Sequence, residues 1–132
     1  MRNLLAVHLL RNYNQAVVKP ALEKRALDTY KLNTVKDFIE ERLAEDLTIA
    51  DMAADVHMSQ FHFARAFKAA TGTPPHRYLT QRRIERAKVL LGVTKLSVAE
   101  VAYSVGFTNQ SHFAAQFYKI TGTTPKTYRN YL

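Results

Sequence analysis

Polar side chains recur at helical spacing in two short stretches, with phenylalanines set between them. Around residues 60–71, Phe61, Ala64, Arg65 and Lys68 fall on one face and Phe63, Ala66, Phe67 and Ala70 on the other, at about 100° per residue. Around residues 110–121, Gln110, Ser111, Ala114, Ala115 and Tyr118 face away from Phe113, Phe117 and Ile120, with His112 on the flank. Each stretch therefore has an apolar anchor face and a face free to meet a partner. The chemistry of such faces is hydrogen bonding. A guanidinium such as that of Arg65 matches the two acceptors of a guanine edge, worth about 1–3 kcal/mol of discrimination, and the amide of Gln110 can match adenine in the same way. The plainer reading of Arg65 is a surface arginine or a phosphate contact. Phe61 either touches a thymine methyl or covers the adjoining turn.

The elements that must position these faces are repeated. Residues 48–79 are echoed at 97–129: His62-Phe63-Ala64 matches His112-Phe113-Ala114, Thr71-Gly72-Thr73 matches Thr121-Gly122-Thr123, and Pro75 and Tyr78 match Pro125 and Tyr128. Two copies are too few for a solenoid and suit one small module used twice. In each copy Thr48 or Ser97 caps a short helix, Ile49–Asp55 or Val98–Ser104, with an acidic residue three places on. A turn comes next, at Val56-His57-Met58 or Val105-Gly106-Phe107. Gly106 permits a positive φ there, and histidine tolerates it better than most residues. A second helix starts at Ser59 or Asn109 and ends before Gly72 or Gly122. Two helices joined by such a turn form a helix-turn-helix unit, which lays its second helix in a DNA major groove.

The remaining segments connect and brace the units. Residues 1–13 read as one short helix, either packed on the helices after it or left from a larger sensor domain. Pro20 and the run Glu23-Lys24-Arg25 make residues 14–27 a linker. From the cap Asp28, a helix carrying Leu32, Val35, Ile39 and Leu43 runs to near Glu45. The expected division is 1–27 as N-terminal helix and linker and 28–132 as an all-α domain. That domain holds a first unit at 48–72, a connecting helix at 75–92 and a second unit at 97–122. On the connector, Ile84, Ala87 and Leu91 share one face, and Arg82, Arg83 and Arg86 share the opposite one as phosphate clamps or as a merely solvated stripe. Sixteen or so helical residues span about 24 Å, enough to hold two second helices apart along one side of a duplex.

Composition narrows the function class. The net charge of +8 points to nucleic acid or an anionic surface. The absence of cysteine excludes disulfides, thiol catalysis and cysteine-ligated zinc. His62 and His112 lie in separate units without carboxylates at ligand spacing, so no metal or other cofactor is expected. No glycine-rich phosphate loop and no G-x-S-x-G elbow is present, so no enzyme is expected. No apolar run reaches the ~20 residues of a membrane span, and the cytoplasm, on the nucleoid, is the expected location.

The doubled unit, the connector Arg82-Arg83-Ile84-Glu85-Arg86-Ala87-Lys88-Val89-Leu90-Leu91, the turn Val105-Gly106-Phe107 and the ending Pro125-Lys126-Thr127-Tyr128-Arg129 together resemble the DNA-binding domain of AraC/XylS-type bacterial transcription regulators. The resemblance runs from about residue 34 to the end. It implies a homeodomain-like fold, double-stranded DNA as partner, probing of bases from Phe61, Ala64, Arg65, Gln110, Ser111, Ala114 and Ala115, and contact with RNA polymerase. Gln60, Lys68 and His112 then lie near phosphates, joined by Ser59 and Asn109 at the helix starts. The family often has arginine where this chain has Ala115. The second unit is therefore expected to lack an outward cation and to bind more weakly and less selectively than the first. Two other readings stay open: a helical module docking a partner protein through the Phe61/Lys68 face, and a non-specific architectural DNA binder.

Overall fold

The structure, a computed structural model, describes residues 27–132; the expectations for residues 1–13 and for most of the linker fall outside these. Seven helices and no strands occur among the described residues. They are α1 (Thr29–Glu41), α2 (Ile49–Asp55), α3 (Gln60–Thr71), α4 (Pro75–Val93), α5 (Val98–Ser104), α6 (Gln110–Thr121) and α7 (Pro125–Asn130). None is long and apolar enough to cross a membrane.

The helix starts are fixed by the residues that satisfy their orphan amides. Asp28 accepts from the Lys31 amide at 2.8 Å. Thr48 and Asp51 form a reciprocal capping box at 3.0 Å each way, and Ser97 and Glu100 repeat it at 2.8 and 3.0 Å. Helix ends repeat as well. Gly72 and Gly122 both take φ of 82°. The next amide, Thr73 or Thr123, donates back to the Thr71 or Thr121 hydroxyl at 3.1 or 3.2 Å. Helix α1 stops at Glu41, four residues before the expected end. Leu43 and Leu47 still bury, so apolar spacing outruns the helix because the loop after it is also part of the core.

Two cores result. The first unites Val35 and Ile39 of α1, Met52 and Ala53 of α2, Phe63, Ala66 and Phe67 of α3, and Leu79 of α4. The second unites Ile84, Ala87 and Leu91 of α4 with Val101 and Ala102 of α5, Phe107, and Phe113 and Phe117 of α6. Aromatic packing repeats between them: Phe67 meets Tyr78 edge-on at 5.3 Å, and Phe117 meets Tyr128 edge-on at 5.5 Å. Helix α4 belongs to both cores. At about 100° per residue its Leu79 lies roughly 110° around the helix from the middle of the stripe of Ile84, Ala87 and Leu91, so no single apolar face stands out in the sequence.

This double duty corrects one expectation. The arginines of α4 are turned onto the first unit and not simply onto solvent, and Arg83 sits on the flank of the helix where the two units meet. Arg82 donates to Glu40 at 2.8 Å, and Arg86 pairs with the same carboxylate at 3.6 Å. Arg83 donates to the carbonyls of Leu43 (2.8 Å) and Glu45 (2.7 Å) in the loop after α1. Ile120, expected in the buried stripe, is 38% exposed. It lies in the last turn of α6, which has passed beyond the second core and looks toward the first turns of α4.

Candidate nucleic-acid interface

The outward face of α3 is organised by one stacking contact. Phe61 is 65% exposed, and the Arg65 guanidinium lies over its ring at 5.1 Å from the centroid. A guanidinium resting on an aromatic face keeps its outer donors free while losing rotamer freedom. Gln60 and Lys68 are exposed beside this pair and Ala64 is half-buried between them. The small side chain of Ala64 leaves the helix backbone open to close approach. Ser59 is committed to the cap, accepting from the His62 amide at 3.2 Å.

On α6 the matching positions are quieter. Asn109 caps the helix by accepting from the His112 amide at 2.9 Å. Gln110, Ser111 and Ala115 are exposed, Ala114 is half-buried and Tyr118 is exposed. His112 is exposed on the flank, its ring edge-on to Phe107 at 5.6 Å. The structure thus brings Phe61, Ala64 and Arg65 together on one surface, and Gln110, Ser111, Ala114 and Ala115 together on another.

Between the units runs a cleft of about 460 Å³. One wall is the start of α4, with His76 and Arg77; the other is the flank of α6, with His112, Gln116 and Lys119. Its charged lining is entirely basic. Lys119 bears directly on the expectation that the second unit lacks an outward cation. Lysine stands there where the first unit has Ala69, one helical position past Tyr118, and it is exposed. Repeat-matched positions do not reveal a cation present in one copy only. The spacing His112, Gln116, Lys119 marks such a flank. Arg77 and His76 carry no sequence signal for this site, because only the folded α4 brings them to α6.

The connector arginines stand apart from these surfaces. Both donor nitrogens of Arg83 seen bonding are spent on main-chain carbonyls, and burial pushes its pKa down from the ordinary arginine value. Arg82 has its pKa raised, first by its hydrogen bond to Glu40. Among the described residues, no group of histidines and carboxylates is arranged to hold a metal.

Two units of this geometry on one shared helix define the class: a DNA-binding helix-turn-helix domain of a transcription regulator. A helix-turn-helix domain model matches residues 52–131. The chain belongs to the AraC-type family of such domains. LumQ of Photobacterium leiognathi, a probable transcriptional regulator, is 25% identical over 126 residues, covering 93% of this chain and 51% of LumQ. The HTH-type transcriptional regulator SACOL0084 of Staphylococcus aureus is 35% identical over 103 residues, 78% of this chain and 14% of that protein. The chain therefore spans about half the length of the first relative and a small part of the second. Among solved structures, the C-terminal domain of the response regulator yesN from Fusobacterium nucleatum superposes with a TM-score of 0.71 at 34% identity, over 74% of this chain and 95% of that one. The DNA-binding domain of AdpA, solved in complex with a target DNA, superposes with a TM-score of 0.73 at 32% identity, over 76% and 91%.

Proposed function

We propose that this chain binds double-stranded DNA sequence-specifically, with α3 and α6 in successive major grooves on one side of the duplex. The observation that supports it best is the pair of outward faces carried by a single 19-residue helix, α4. That helix is about 28 Å long, comparable with the ~34 Å repeat of the groove. In this reading Arg65 reads a guanine edge from its seat on Phe61, and Gln110 reads adenine. Ala64, Ala114, Ala115 and Ser111 let the backbone approach the base edges. Phosphate contact comes from Gln60, Lys68 and His112 and from the helix starts at Ser59 and Asn109, with Arg82 and Arg86 at the margin. Arg83 is assigned an intramolecular role instead.

The DNA-binding domain of this reading spans 28–132, with 1–27 as N-terminal helix and linker, and it acts in the cytoplasm on the nucleoid. Contact with RNA polymerase completes the proposal. The test is selection of bound duplexes from a random pool at about 150 mM salt, where screening is already substantial. Enrichment of two sequence blocks about one helical turn apart is expected. One block alone would reduce the second unit to a backbone clamp. No retained DNA would favour a protein-docking module, and retention without enrichment an architectural binder.

A further inference from the structure

The turn of the second unit approaches the first unit more closely than a side chain would permit. A Cβ placed on Gly106 would lie 2.8 Å from the Leu43 carbonyl oxygen and 2.8 Å from Nε of Arg83. That same Nε donates to Leu43, and the other end of the guanidinium donates to Glu45. The guanidinium carbon of Arg83 also lies over the ring of Phe107, 5.9 Å from its centroid. Phe107 is buried in the second core against Phe113 at 5.2 Å. One guanidinium thus touches the loop after α1, the connecting helix that carries it, and the turn that aims α6. Arg129 makes the matching comparison. It donates to the carbonyls of Leu91 (3.0 Å) and Leu96 (2.6 Å), closing the loop before α5 wholly within the second unit.

We propose that Arg83 is a positioning residue that pins the second helix-turn-helix unit against the first and so sets which spacing between DNA half-sites the protein accepts. The inference rests on the two-groove reading for its DNA consequence, though the pin itself does not. A fork of two charge-assisted bonds to backbone carbonyls, roofed by an aromatic ring, resists rotation in a way that the Arg82 and Arg86 pairs with the part-exposed Glu40 do not. One base pair of extra spacing shifts the second groove by about 3.4 Å and turns it by about 35°, so a rigid pair of units rejects it.

Two measurements test the pin separately from the DNA reading. The chain has no cysteine, so Ala54→Cys and Tyr103→Cys, on exposed positions of α2 and α5, give unique spin-label sites. The distance distribution between them is expected to be narrow in the parent and in Arg129→Met, and at least twofold broader in Arg83→Met. In binding assays on the selected duplex, adding or removing one base pair between the blocks is expected to cost the parent about 10-fold or more and Arg83→Met about 3-fold or less, with affinity for a single block unchanged. Arg83→Lys, which keeps the charge without the fork, should fall between, and it carries the test if the methionine variant does not fold. A folded variant with a narrow distance distribution and the parent's spacing profile overturns the proposal. If the parent selects no two-block site, the DNA reading fails and the distance measurement still decides whether Arg83 is the pin.

Discussion

The two helix-turn-helix turns both pass through a residue of positive φ and have different neighbours. In the first, His57 takes φ of 58° and its side chain is exposed. In the second, Gly106 takes φ of 101°, and Arg83 and the Leu43 carbonyl oxygen occupy the space a Cβ would need. Both turns close alike, the Met58 amide donating to Ala53 at 2.9 Å and the Phe107 amide to Ala102 at 3.0 Å. A left-handed turn alone therefore does not require glycine here, since histidine serves in one copy. The glycine of the second copy serves close packing between units. The first turn is a free corner and the second is a joint.

That difference can be broken most forcefully at the joint. Gly106→Ala combines left-handed strain of about 1–2 kcal/mol with overpacking of about 1–3 kcal/mol, so a total near 3 kcal/mol is expected in denaturant unfolding. Gly72→Ala meets the strain at φ of 82° but nothing within 4 Å, so about 1 kcal/mol is expected. His57→Gly should stay within about 0.5 kcal/mol of the parent, relief of strain offsetting added chain entropy. Equal losses for Gly106→Ala and Gly72→Ala would mean that the close approach carries no weight.

The outward faces differ next. Arg65 is preorganised on Phe61, whereas Gln110 has no such support. Arg65→Ala is expected to lose about 1–3 kcal/mol of discrimination between the selected duplex and one altered at its contacted base pair, and Gln110→Ala less than half as much. Competition binding would measure both, and the reverse ranking would sink the asymmetry between the units. The cleft sharpens the same comparison. If Lys119 supplies to the second unit the phosphate contact that Lys68 supplies to the first, Lys119→Ala should lower the slope of log affinity against log salt by about 1 and leave the selected motif unchanged. An unaltered slope would leave the second unit without a cation at its groove.

Legibility in the sequence depends on which forces are local. Caps, Thr-Gly-Thr helix ends and the phenylalanine stripes are set by residues a few positions apart, so the boundaries of α2 and α5 were legible to the residue. The grouping of Phe61, Ala64 and Arg65 on one face comes from helical angle alone. Orientation between units was not legible, because it depends on Arg83 reaching carbonyls 38 and 40 positions away. For the same reason the arginine face of α4 looks solvated in the sequence. Arg129 performs a like task but is not the repeat-matched position of Arg83; its counterpart in the first unit is Leu79. Aligning the two copies therefore gives no sign of either clamp.

The smallest expected effect asks whether the units are equal where the comparison says they should be. Both first helices open on a capping box, so Thr48→Ala and Ser97→Ala should each cost about 1 kcal/mol, with little difference between them. The first box has one further signature. The Asp51 carboxyl has its pKa lowered, first by the hydrogen bond from the Thr48 amide, then by the Thr48 hydroxyl, with the Arg42 charge adding in the same direction. A carboxylate whose folded pKa lies below its unfolded value near 3.9 contributes stability above that value. The contribution is lost as pH falls through the folded pKa. Thermal midpoints of the parent and Asp51→Asn should therefore differ at pH 5 and draw together as pH falls through the folded pKa of Asp51, the other carboxylates titrating alike in both. A gap that stayed constant across that range would show that the box holds α2 by hydrogen-bond geometry alone, with the charge of Asp51 adding nothing.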